Sequence, residues 1–159
     1  MVYSFARVSA VVGMNIEDCY QQGKRWWIRL HEKGGKFHEV PVHHKAQEYL
    51  DAFIAAAGID KEKGTPLWRN ITKERGIGKG RMHRVDVCRM IQRRIRRAEL
   101  NARASCHTFR ATGITAYLLN GNTIENAQAI AAHESPCTTK LYDRTADEIT
   151  LDEIERIGI

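Results

Sequence analysis

Four residues toward the C-terminal end carry side chains that together can hold and attack a phosphodiester. They are His107 and Arg110 in His107-Thr-Phe-Arg110, then His133, then Tyr142. A guanidinium grips phosphate oxygens bidentately through its planar fork of donors. An imidazole trades protons near neutral pH. A tyrosine hydroxyl can serve as an oxygen nucleophile and form a covalent intermediate. On a helix, His107 and Arg110 are three apart and share a face, close to a helix start whose dipole also favours an anion. Each has a blander use when taken alone: a surface pair, a capping or core histidine, a half-buried packing tyrosine. Their order and spacing make the case.

The elements needed to position them can be read along the chain. Apolar spacing predicts a helix over 5–14, ending at Gly13. Strands are expected over 16–20, 25–31 and 37–42, rich in aromatic and β-branched residues, with turns at 21–23 and 33–36. Pro41 suits an edge strand. After His44 the apolar stripe Ala46, Tyr49, Leu50, Phe53, Ile54 predicts a helix that stops at Gly58. The stretch 59–81 reads as a Gly/Lys-rich loop with one apolar patch at Pro66-Leu-Trp68. A long helix is expected over about 83–100, another from near His107 to Asn120-Gly-Asn122, and a third over 124–132 capped by Thr123. Pro136 opens a short helix leading to Tyr142, and Thr150-Leu-Asp-Glu153 resembles a capping box for a final helix. The expected fold class is α+β, mainly helical, with a small three-stranded antiparallel sheet near the N-terminus packed on a helical bundle. Residues 1–159 are expected to form one domain.

Composition narrows the partners. A net charge of +6 favours a polyanion, but the distribution of charge has to decide. The arginines concentrate at Arg81, Arg84, Arg89, Arg93, Arg94, Arg96 and Arg97, with Asp86 opposing them. Val87, Ile91, Ile95 and Ala98 line one stripe of that helix and leave the arginines on the rest of its surface. Such a face suits double-stranded DNA through phosphate contacts, with salt-dependent and weakly sequence-selective affinity. Trp26, Trp27 and Trp68 read as packing anchors rather than stacking platforms. No apolar stretch is long enough to cross a bilayer and no secretory signal is visible, so a cytoplasmic protein with no membrane partner is expected. Cys19, Cys88, Cys106 and Cys137 are scattered, which suits free and mostly buried thiols. A zinc site from Cys106, His107 and His133 is conceivable, but the ligand spacing gives it no support. No metal or other cofactor is expected.

The combination of His107-x-x-Arg110, a following helix, His133 before a Ser/Thr-rich turn and Tyr142 nine residues later resembles the catalytic signature of the tyrosine recombinases, the phage integrase family. Arg7, on a helix followed by the first strand, resembles the first arginine of that family. Lys33, in the turn Leu30-His-Glu-Lys33-Gly-Gly-Lys36, resembles its β-hairpin lysine, with Lys36 a rival. The resemblance covers essentially the whole chain and implies the tyrosine recombinase catalytic-domain fold. It further implies site-specific DNA strand exchange through a 3′-phosphotyrosyl intermediate at Tyr142, by a homotetramer assembled on DNA. Arg7 and Arg110 would neutralise the phosphate, His107 would help as a base, Lys33 would protonate the leaving oxygen, and His133 would bond the phosphate. Lys36 and the arginines of the basic helix would contact DNA.

Three departures stand out. The family carries an acid three residues after its first arginine, where this chain has Ala10, so the carboxylate that would orient Arg7 is missing. Position 132 is alanine where glycine is common, and Ala111 stands where a second histidine is frequent. The N-terminal clasping domain of the family is not expected, since the first arginine is residue seven. Rival readings are a type IB topoisomerase-like activity and a non-catalytic DNA-binding remnant. The segment 150–159 carries an apolar stripe that could dock on a neighbouring protomer or pack on its own domain.

Overall fold

A computed structural model describes residues 1–32, 35, 37–101 and 103–144. It divides into two units, Met1–Gly113 and Ile114–Ile159.

In the first unit, helix α1 (Val8–Gly13) is shorter than the helix expected over 5–14. Phe5, buried at 4% exposure, sits at φ +49°, outside the right-handed helical path, so the helix starts only after Arg7. The strand expected over 16–20 also starts late. The Asp18 carboxylate accepts from the Asn15 amide at 2.8 Å and winds Ile16–Asp18 into one 3₁₀ turn. Strands β1 (Cys19–Gln22), β2 (Arg25–His31) and β3 (Phe37–Pro41) then form an antiparallel sheet in the order β1-β2-β3, with Tyr20 opposite Trp27 and Leu30 opposite His38. Pro41 closes edge strand β3, where its missing donor costs no ladder bond. Leu30 and Val40 turn into the core. Trp26 and Trp27 project from opposite faces of β2, each half-buried.

Helix α2 (His44–Ala57) stops at Gly58, whose φ of +63° is the left-handed cap that glycine adopts without strain. The stretch 59–81, expected as loop, contains a hairpin of β4 (Arg69–Ile71) and β5 (Ile77–Arg81). Its strands lack apolar alternation because Gly78 and Gly80 occupy one side of β5. The Asn70 carboxamide lies over Gly78 and Gly80, where a side chain would collide with it. The preceding segment is ordered too. Leu67 is fully buried and donates its amide to the Met14 carbonyl, and buried Arg69 bonds Pro66, Thr65 and Glu62.

Helix α3 (Arg84–Arg97) buries Val87 and Ile91 along the expected stripe. It ends before residue 100, and Glu99 just beyond it lies at φ +53°. Val87, Ile91 and Cys106 form a cluster with Val8, Val12 and Phe109, each fully buried aliphatic contributing about 1.5–3 kcal/mol. Cys106 opens helix α4 (Cys106–Leu119), which carries residues of both units. Within the first unit, Gly113 lies so close to the Val2 carbonyl and the Phe5 ring that an added methyl would overlap both.

The second unit holds the end of α4, then α5 (Ile124–Ala131) and α6 (Pro136–Lys140). Ile114, Leu118, Ala127 and Ala131 are its buried apolar residues among those described. The Thr123 hydroxyl accepts from the Asn126 amide and caps α5, as expected. Ser135 caps α6, with Pro136 at its first position. The fold is thus α+β and mainly helical with a small antiparallel sheet. The capping box expected at 150–153 lies outside the described residues. Among the described residues no helix is long and apolar enough to cross a membrane.

Candidate active site

Arg7 stands at the N-cap of α1, and His107 and Arg110 occupy the first turns of α4. Residues a hundred positions apart therefore line one cavity of about 210 Å³, walled by Ala6, Val8, Ser9 and Cys106 beside the three charged or titratable groups. Two guanidiniums and the positive end of α4 give it an anion-attracting field. Arg110 is 1% exposed and donates Nη1 to the Phe5 carbonyl. The left-handed backbone of Phe5 costs about 1–2 kcal/mol, and aims that carbonyl at Arg110. His107 is exposed at the cavity mouth. Burial pushes the neighbouring Cys106 thiol up to about 11, helped by its contact with Cys88.

Arg7 is held by a carboxylate after all. Its Nη1 lies 2.6 Å from Glu32 Oε2, and the Glu32 side chain is 5% exposed. The acid missing at position 10 is supplied from the end of β2, while Ala10 itself is buried in the core. Sequence reasoning missed Glu32. Its one signal was adjacency to Lys33, since a contact between positions 25 apart leaves no periodic trace. Lys33 and Lys36 lie outside the described residues.

The second unit holds the other pair. His133 is 7% exposed, and its Nδ1 lies 3.0 Å from Thr139 Oγ1. Its ring is nearly parallel to that of half-buried Tyr142, at 11°, with centroids 5.9 Å apart. The Tyr142 carbonyl accepts from the Thr115 hydroxyl at 3.0 Å, which anchors its backbone to α4. Thr139, wholly buried, and Thr115 were not singled out from sequence; a threonine that orients a neighbour looks like any core threonine. Ala132, just before His133, adopts φ +49° as the C-cap of α5, which explains physically why glycine suits that position.

The α3 arginines Arg84, Arg89, Arg93, Arg94, Arg96 and Arg97 are all exposed. Arg89, Arg93 and Arg96 edge a groove of about 920 Å³ whose other wall includes Asn70, Thr72 and Arg75 of the hairpin. Arg81 differs from them. Its guanidinium donates to the Val12 and Met14 carbonyls and to Asn15 Oδ1, tying β5 to the end of α1. Among the described residues, no cluster of three or more histidine, cysteine or acidic side chains is arranged to hold a metal ion.

Known proteins resemble the chain at both levels. The phage integrase family model matches residues 1–148. Tyrosine recombinase XerD of Mycobacterium tuberculosis is 30% identical over 138 residues, covering 86% of this chain and 43% of that protein. Tyrosine recombinase XerC of Thermodesulfovibrio yellowstonii is 30% identical over 142 residues, covering 86% and 44%. Among solved structures, XerH recombinase bound to its difH substrate superposes with a TM-score of 0.75 at 18% identity, over 98% of this chain and 43% of that one. XerA recombinase gives 0.72 at 21% identity, over 98% and 53%. The fold and the family agree: the chain belongs to the phage integrase family. It spans less than half the length of the curated relatives it matches.

Proposed function

We propose that the chain carries the breaking-and-rejoining chemistry of a site-specific tyrosine recombinase, acting on double-stranded DNA. The observation that carries this reading is the single cavity shared by Arg7, His107 and Arg110. Arg7 and Arg110 bind the non-bridging oxygens of the scissile phosphate and neutralise charge as it builds on pentacoordinate phosphorus, a role that metal ions fill in many nucleases. Tyr142 attacks phosphorus, its proton passing to His107. His133 donates a hydrogen bond to a phosphate oxygen, its other ring nitrogen engaged by Thr139. Lys33 protonates the departing 5′ oxygen. The 3′-phosphotyrosine retains the bond energy, so a second DNA end reverses the step without a nucleotide cofactor. The exposed α3 arginines, with Lys36, hold flanking phosphates, and recombination proceeds in a tetramer assembled on DNA.

The test is a nicked suicide duplex incubated with the protein in the presence of a chelator. The expected result is a protein–DNA adduct on a denaturing gel that disappears in Tyr142→Phe. DNA binding with no adduct would instead favour a non-catalytic DNA-binding remnant. Relaxation of supercoils without joining of partners would favour topoisomerase-like activity.

A further inference from the structure

The phosphate chemistry leaves two thiols unused. Cys88 on α3 and Cys106 at the start of α4 bring their Sγ atoms to 3.3 Å. Cys88 is exposed, while Cys106 is buried and lines the cavity beside His107 and Arg110. We propose that this pair is an oxidation site: a low-molecular-weight disulfide converts it to a Cys88–Cys106 disulfide, reversibly switching off the adjoining cavity.

The exchange balances in two steps. Cys88, deprotonated by solvent, attacks one sulfur of the small disulfide; that S–S bond breaks and one thiolate leaves, taking a proton from water. Cys106 then loses its proton, attacks Cys88 Sγ in the mixed disulfide and expels the second small thiolate. Two protein thiols are oxidised and one small disulfide is reduced to two thiols. Exposure sets this order. Solvent reaches Cys88 directly, whereas burial pushes the Cys106 thiol up to about 11 and makes it a poor first nucleophile. In the second step the attacking sulfur is already beside its target.

The consequence follows from distance. A disulfide requires about 2.05 Å between sulfurs. Closing 3.3 Å to that length draws the two sulfurs together by roughly an ångström, a displacement shared between the two side chains and the start of α4, where Cys106 stands. His107 is the next residue, and Arg110 lies one turn further. A misplacement of that size costs on the order of 100-fold in rate where positioned groups do the chemistry. The loss of activity rests on the proposed function, whereas formation of the bridge does not.

The experiment treats the whole chain with oxidised glutathione, alkylates the remaining thiols and maps peptides by mass spectrometry, with suicide-duplex cleavage measured in parallel. The expected map links the peptides bearing Cys88 and Cys106, while Cys137, also exposed, takes only a glutathione adduct or the alkylating label. Cleavage should fall at least about 10-fold and return on reduction, and Cys88→Ser should abolish both the bridge and the loss. Recovery of Cys106 as an alkylated thiol would overturn the site, and a bridged protein that cleaves at the reduced rate would overturn the switch. A reduced chain that never cleaves would count against the proposed function alone, because the peptide map still decides the bridge.

Discussion

Glu32 offers the sharpest perturbation, because it does for Arg7 what the residue at position 10 does not. Its carboxylate meets Arg7 Nη1 at 2.6 Å, with the Glu32 side chain 5% exposed and Arg7 37% exposed. A charge-assisted hydrogen bond contributes about 1.5–3 kcal/mol where it is dry. With Arg7 more than a third open to water, screening reduces that to about 1–2 kcal/mol. Glu32→Gln keeps the shape and removes the charge, so it should lower unfolding stability by about that amount. Its effect on chemistry should be larger than its effect on binding. A guanidinium released from its anchor samples rotamers that miss the phosphate, and the cleavage rate should fall roughly 10- to 100-fold. The assay is single-turnover cleavage of the suicide duplex in a double-mutant cycle with Arg7→Ala. If Glu32 acts through Arg7, adding Glu32→Gln to Arg7→Ala should change the rate less than about twofold. Losses that simply multiply, or a Glu32→Gln protein that cleaves normally, would refute this positioning role.

Four further outcomes are expected. Gly113→Ala gains helix propensity but drives a methyl into the Val2 carbonyl and the Phe5 ring, so a net loss of about 1–2 kcal/mol should show in urea unfolding. Ala132→Gly relieves the left-handed cap before His133 and should stabilise the chain by about 0.5–1 kcal/mol in the same measurement. Replacing Arg93 or Arg97 by Gln should weaken binding to unrelated duplexes alike and flatten the logarithmic salt slope by about one unit each, read by fluorescence anisotropy. Desolvation pushes the half-buried Cys19 thiol up to about 12 and the buried Cys106 thiol up to about 11, so the folded state favours their protonated forms. That stability is full below the unfolded thiol range near pH 8.5 and is lost as pH rises through those folded values. Cys106→Ala should therefore show a flatter decline in denaturation midpoint above about pH 9 than the parent chain.

Local chemistry was legible and remote chemistry was not. Gly58, Thr123 and Pro136 punctuate their helices where sequence reasoning puts them, because a helix end is decided by a residue and its near neighbours. The β2–β3 pair was equally readable from its aromatic and β-branched runs. The β4–β5 hairpin escaped because Gly78 and Gly80 remove the alternation that marks a strand, and the Asn70 side chain fills the space they leave. The start of β1 was misread because one side chain, Asp18, bends the backbone ahead of it. At the site, residue types and order pointed to His107, Arg110, His133 and Tyr142, and the family resemblance added Arg7, yet the supporting Glu32, Thr139 and Phe5 carbonyl were invisible. Supporting contacts join distant positions through geometry that no spacing rule encodes.

The most direct measurement is single-turnover cleavage by Arg110→Lys, with folding checked by thermal melt and duplex binding measured alongside. Lysine keeps the charge but loses the two-pronged grip, so adduct formation should fall by on the order of 100- to 1,000-fold while binding changes only a few-fold. Cleavage at the parent rate by a folded Arg110→Lys chain would contradict phosphate activation in the Arg7–His107–Arg110 cavity.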